Sequence, residues 1–204
     1  MLVLPHHHFH EKIFEGSKTV IYRGIRKTDN LPIIAKKLKN PHPTESEISW
    51  LEYEYQVVKK LRLSCVSTMY GIENVGGSKV LLMEDFGAVS LGVYLQNRLL
   101  DIETFLQIAI SIARALGDIH KHNVIHKDLK PANILLNEKT RELKLTGFGI
   151  SAQLSRESQQ VVDQDIHEGT LAYISPEQTG RMNRSVDYRS DFYSLGATYY
   201  EMLT

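Results

Sequence analysis

The spacing of apolar residues changes character near residue 87 of this 204-residue chain. Before that point, short runs rich in β-branched and apolar residues predict strands. Val20-Ile21-Tyr22 and residues 31–38 are two of them, with the turn-forming Thr28-Asp29-Asn30 in between. Val75-Gly76-Gly77-Ser78 predicts a tight hairpin leading into a further strand over 79–84. One helix interrupts this region, over 45–63, where Trp50, Tyr53, Val57, Val58 and Leu61 recur at helical steps and Glu54 shares their face. After residue 87 the period is helical. Ile102, Phe105, Ala109, Ile112, Leu116 and Ile119 form an apolar stripe that ends near His120-Lys121-His122-Asn123. Two short strands follow, over 134–136 and 143–145; residues 151–168 are polar and aperiodic and predict a loop; a new apolar helix begins at Asp191.

Hydrophobic residues at 42% and charged residues at 24% suffice for a buried core and exclude a disordered chain. Lys+Arg and Asp+Glu number 24 each, so the formal net charge is zero, which argues against nucleic acid or an anionic membrane as principal partner. Cys65 is the single cysteine; it cannot form an internal disulfide and suits a reducing compartment. The first five residues lack the basic flank and apolar length of a signal peptide, and Arg114 and Asp118 interrupt the most hydrophobic helical stretch. A cytoplasmic protein without a membrane span is the expectation. His6, His7, His8 and His10 lack the spacing of metal ligands and read as a tail or short lead-in strand.

The densest chemistry lies in His126-Lys127-Asp128-Leu129-Lys130-Pro131-Ala132-Asn133. Asp128 is placed to accept the proton of an attacking hydroxyl, Lys130 to neutralise a moving phosphate, and Asn133 to hold a metal ion. The string resembles the H-R-D-L-x-x-x-N catalytic loop of protein kinases, with Lys127 in place of arginine. Lys36 in Ile33-Ile34-Ala35-Lys36 resembles the lysine of V-A-I-K, and residues 169–177 resemble the close of an activation segment, with S-P-E for A-P-E. The chain as a whole is similar to a bacterial-type serine/threonine protein kinase domain. More narrowly, residues 16–24 and 168–184 resemble the kinase modules at the front of large bacterial signalling proteins, where ATPase-like, GAF sensor and histidine kinase regions follow.

That resemblance implies an α+β, bilobal protein-kinase-like fold. A strand-rich N-lobe over 1–86, a five-stranded sheet plus one helix, ends in a hinge; a helical C-lobe over 87–204 is truncated after the start of its central helix. It implies ATP with Mg2+ or Mn2+, a protein substrate, transfer of the γ-phosphate to a serine or threonine, and further signalling domains C-terminal to the chain. Asp128, Lys130, Asn133, Lys36, Glu54 and Thr170 take the catalytic positions, Glu52 being the second candidate partner of Lys36. Phe14, Glu15, Gly16, Ser17, Ile21, Ile34, Lys36, Met83, Glu84, Phe86 and Leu135 take the nucleotide-binding positions, and Asn133 that of metal ligand.

Two departures stand out. Of the G-x-G-x-x-G-x-V loop only Gly16 survives, and D-F-G is replaced by Gly147-Phe148-Gly149, which removes the family's magnesium-chelating aspartate. Glu138 and Glu142 are expected to face away from the gap. A second reading follows from Gly147: a pseudokinase, a binding module that regulates an attached or partner domain. Ser151, Ser155 and Ser158 are candidate phosphorylation sites, and Lys127, lacking arginine's fork, predicts little dependence on loop phosphorylation. Asp191-Phe192-Tyr193-Ser194-Leu195-Gly196 resembles the start of the buried helix that anchors the catalytic loop. Glu177 is expected to lack the more distant arginine that the resemblance gives it as partner, and Tyr199, Tyr200, Met202 and Leu203 to lie uncovered.

Overall fold

Five antiparallel strands and one helix build the first part of the chain in the computed structural model, which describes residues 2–153, 168–180 and 184–204. In chain order they are His7–Glu15 (β1), Thr19–Arg26 (β2), Leu31–Leu38 (β3), the helix Glu45–Leu61 (α1), Met69–Val75 (β4) and Ser78–Glu84 (β5). The sheet order is β1-β2-β3-β5-β4. Gly76 and Gly77, at φ 54° and 80°, supply the left-handed pair that a two-residue hairpin requires between β4 and β5. The start of α1 is set by a capping box: Glu47 N donates to Thr44 Oγ1 at 3.2 Å and Thr44 N to Glu47 Oε2 at 2.8 Å.

The pleat of β3 sorts its residues between two cores. Leu38 packs with Leu51, Leu81 and Met83 beneath α1. Ile33 and Ala35 face the other way, with Phe9, Val80 and Leu82, and Leu2 and Leu4 cover them. This strap ahead of β1 was not legible as an element; Lys27 N donates to His6 O at 2.9 Å and ties it to the sheet. The buried face of α1 is Leu51, Glu54, Val57, Val58 and Leu61. The predicted stripe is therefore rotated: Leu51 is buried, Trp50 only partly so, and Tyr53 is exposed, because α1 meets the sheet along one narrow face.

The second unit comprises Val89–Ser90 (β6), Leu91–Leu95 (α2), Ile102–Lys121 (α3), Val124–Ile125 (β7), Ile134–Leu136 (β8), Leu143–Leu145 (β9), Ala152–Gln153 (β10) and Tyr188–Leu203 (α4). Strands β6, β8 and β9 form one small sheet, and β10 pairs with β7, so the expected loop begins with a strand pair. Asp101 caps α3 by accepting from Thr104 N at 2.8 Å. Its buried face runs Ile108, Ala109, Ile112, Ala115, Leu116 and Ile119; Ile102, expected on that stripe, is exposed in the first turn.

The two units divide after Gly87, and residues 63–66 belong with the second. They do so because Leu145 N donates to Cys65 O at 2.8 Å and Val66 bridges to Leu145. On α4, Met202 is buried and Tyr199 OH donates to Ala109 O at 2.6 Å, which corrects the expectation that both lie uncovered; Tyr200 and Leu203 are exposed. Among the described residues no helix is long and apolar enough to cross a membrane.

Leu4, 2% exposed, tests the strap. Leu4→Ala is expected to lower the unfolding free energy by about 2–4 kcal/mol in urea titration, against no effect if the segment merely rests on the surface.

Candidate functional site

In the first unit the chemistry centres on Lys36. Alternation along β3 turns its side chain toward α1, where Lys36 Nζ meets Glu54 Oε2 at 2.7 Å. Glu54 is fully buried, and its other oxygen, Oε1, has no hydrogen-bond partner among the described residues. The Lys36 ammonium also lies 4.5 Å from the centroid of the Trp50 ring. Glu52, the alternative partner, instead pairs with Lys79.

The β1–β2 turn closes through Gly16 N donating to Thr19 O at 2.9 Å. Phe14 is exposed and its ring lies over Gly16, where a Cβ would come within 2.8 Å of Phe14 Cε1 and push the ring aside. Glu15 pairs with Lys12 and Lys39, whose ammonium groups hold its carboxyl down at about 2. Ser17 is exposed. Ile21 sits opposite Lys36, and Ile34 opposite Met83, both half-buried, while Met83 itself is in the core beneath α1. Glu84 turns its carboxylate to Thr68 N at 2.7 Å, and Asp85 is held by Arg23 Nε at 2.7 Å, leaving Phe86 half-buried beside a tethered segment.

In the second unit Asp128 is gripped on both carboxylate oxygens. Lys130 Nζ donates to Oδ1 at 2.8 Å, and Asn133 Nδ2 donates to Oδ2 and to the Asp128 carbonyl, each at 2.7 Å. Pro131 opens the 3-10 turn Pro131–Asn133 that brings Asn133 back toward Asp128. Leu135, in β8, is half-buried.

The loop is hung from α4. Asp191, with no exposed surface, accepts from His126 N, Lys127 N and His120 Nε2, all at 2.8 Å. These donors satisfy a carboxylate that would otherwise be costly to bury, and they hold Lys127 at φ 64°. Gln178, unnoticed in the sequence, adds a second tie from Nε2 to Lys127 O at 2.8 Å; its only signal there is its place at the third position of a turn capped by Ser175. Glu177 accepts from Ser190 Oγ at 2.6 Å.

Gly147 follows β9 with φ 85° and ψ 39°. A Cβ there would stand 2.7–2.8 Å from the Cγ, Nδ2 and Oδ1 atoms of Asn133. A side chain at 147 therefore requires the Asn133 carboxamide to move from this position. Glu138 pairs with Arg98 at 3.0 Å and Glu142 with Lys144 at 3.2 Å, and among the described residues no three acidic, histidine or cysteine side chains are placed to hold a metal ion. Mg2+ and Mn2+ prefer oxygen-rich shells, whereas Asn133, with its amide nitrogen on Asp128, offers one neutral oxygen, Oδ1, and Gly147 offers no side-chain oxygen. The residues present do not fit a divalent cation.

Thr170 lies in the turn Glu168–Tyr173, but its side chain, like Ser155 and Ser158, is outside the described residues. Ser151 is buried and donates to Phe148 O at 2.8 Å, which removes it from the candidate phosphorylation sites.

Residues 7–204 match the protein kinase domain family. The chain belongs to that family. Serine/threonine kinases, bacterial ones among them, are its relatives. The kinase domain is 32% identical over 200 residues to a leaf rust 10 disease-resistance locus receptor-like protein kinase-like 2.3 of Arabidopsis thaliana, covering 96% of this chain and 30% of that protein. It is 29% identical over 196 residues to a probable serine/threonine-protein kinase of Clostridium acetobutylicum, with 95% and 29% covered. To a probable serine/threonine-protein kinase PknB of Lactococcus lactis it is 28% identical over 198 residues, with 95% and 31% covered. The chain thus spans under a third of the length of these relatives. Kinases of this family generally use ATP and Mg2+.

Two substitutions test the loop. Gly147→Ala is expected to destabilise the domain by more than about 1 kcal/mol in chemical denaturation, since both its φ and its Cβ are disfavoured. Asp191→Asn places an amide among donors and is expected to cost about 3 kcal/mol in the same measurement.

Proposed function

We propose that this kinase domain transfers the γ-phosphate of ATP to serine or threonine hydroxyls of a protein in a bacterial signalling pathway. The observation that carries the reading is the Asp128 carboxylate, fixed on one side by Lys130 and on the other by Asn133. A carboxylate so held still has lone pairs to accept a hydroxyl proton. The hydroxyl oxygen then bonds to the γ-phosphorus as the bond to the β-phosphate oxygen breaks, and ADP leaves. Lys130 offsets the charge beside that centre, and Lys36, steadied by Glu54, takes phosphate oxygens of the nucleotide. No step is assigned to a metal ion. Relatives named as serine/threonine kinases support the substrate class. Following signalling domains and a cytoplasmic location complete the proposal.

Gly147 favours a second reading, a regulatory module without phosphotransfer. Phosphate transfer from ATP, with Mg2+ or Mn2+ supplied, separates the two. Wild-type transfer that falls by about 10²–10⁴-fold in Asp128→Ala is the expected result. Folded wild-type protein that transfers no phosphate ends the first reading in favour of the second.

A further inference from the structure

The ammonium of Lys36 sits in a seat with two walls on successive turns of α1. Glu54 supplies one wall, through Oε2 at 2.7 Å, and the other is the face of Trp50, with the ring centroid 4.5 Å from Nζ. Positions four apart on a helix share one face, so a single rigid element carries both walls. The indole is braced in turn, packing against the cluster of Leu38, Leu51, Leu81 and Met83. Glu54 does not complete the seat alone: only Oε2 is bonded, while Oε1 is buried without a partner among the described residues. A carboxylate tied at one oxygen fixes a distance to the ammonium but not its direction. The ring face supplies the missing constraint, since its negative quadrupole attracts a cation along the ring normal.

We infer that Trp50 is a positioning residue for Lys36, fixing the direction in which the ammonium is offered to an anionic phosphate ligand. The ligand half of this statement rests on the phosphotransfer reading; the seat itself does not. An ammonium has three N–H groups. Glu54 takes one, the indole face occupies a second side, and the third is aimed by the other two. A phosphate that draws on Lys36 changes the charge felt by the indole.

Trp50 is the only tryptophan in the chain, so its fluorescence reports this seat directly. Emission of unliganded wild-type protein is compared with that of Lys36→Met, which keeps the stem and removes the charge. A changed intensity or maximum is expected, and superimposable spectra from two folded proteins overturn the assignment.

The second arm measures ATP affinity by calorimetry in wild type, Trp50→Phe, Trp50→Leu and each Trp50 variant combined with Lys36→Met. Trp50→Leu is expected to weaken ATP about two- to thirty-fold, with Trp50→Phe recovering most of the loss. In the Lys36→Met background the two Trp50 variants are expected to bind alike. Equal losses with and without Lys36 would show that Trp50 acts by packing alone, and would overturn the proposal. Absence of ATP binding by wild type, with the emission difference intact, refutes the nucleotide reading and leaves the Trp50–Lys36 seat standing.

Discussion

A single buried carboxylate governs the geometry of the catalytic loop. Asp191 has no exposed surface, and its position is tolerable only because three N–H groups converge on it. Two of those donors are consecutive backbone amides of the loop, so satisfying the carboxylate and shaping the loop are one event. Lys127 is held in the left-handed region as a result, and the chain emerges from that bend with Asp128 directed toward Lys130 and Asn133. Gln178 fastens the carbonyl of the same residue, so Lys127 is gripped through both its N–H and its C=O.

The same economy appears in the first unit, where Lys36 and Glu54 are both largely withdrawn from solvent. Such pairs contribute little net stability, because desolvating two charges offsets most of their attraction; what they fix is position. The energy that holds the unit together comes from two apolar layers, one on each face of the sheet, and the alternation along β3 assigns Ile33 and Ala35 to one and Leu38 to the other.

Much of this was readable from the chain. Strands β2 and β3, the Gly76-Gly77 hairpin, α3 and the Asp128-to-Asn133 string each carry a strong local signal: β-branched runs, paired glycines, a sustained period or a fixed spacing. What stayed hidden depends on partners distant in sequence. Leu2 and Leu4 precede any periodic segment, and only the face they cover explains their burial. The buried edge of α1 is ambiguous in sequence because Trp50, Leu51 and Tyr53 are all apolar enough to qualify, and the position of the sheet decides among them. Ser151 reads as available because the run 151–168 that it opens is largely polar, yet a backbone turn draws its hydroxyl to Phe148 O. Composition fails in the same way at Met202, whose burial depends on contacts that no local window contains.

The backbone at Gly147 ties two positions together. With the carboxamide of Asn133 filling the volume a side chain would need, the two positions are epistatic: neither can be judged in isolation from the other. A side chain introduced at 147 enters only as the Asn133 carboxamide swings aside or the backbone gives way. The pair thus works as a latch: the amide's hold on Asp128 and room for a side chain at 147 compete for one volume.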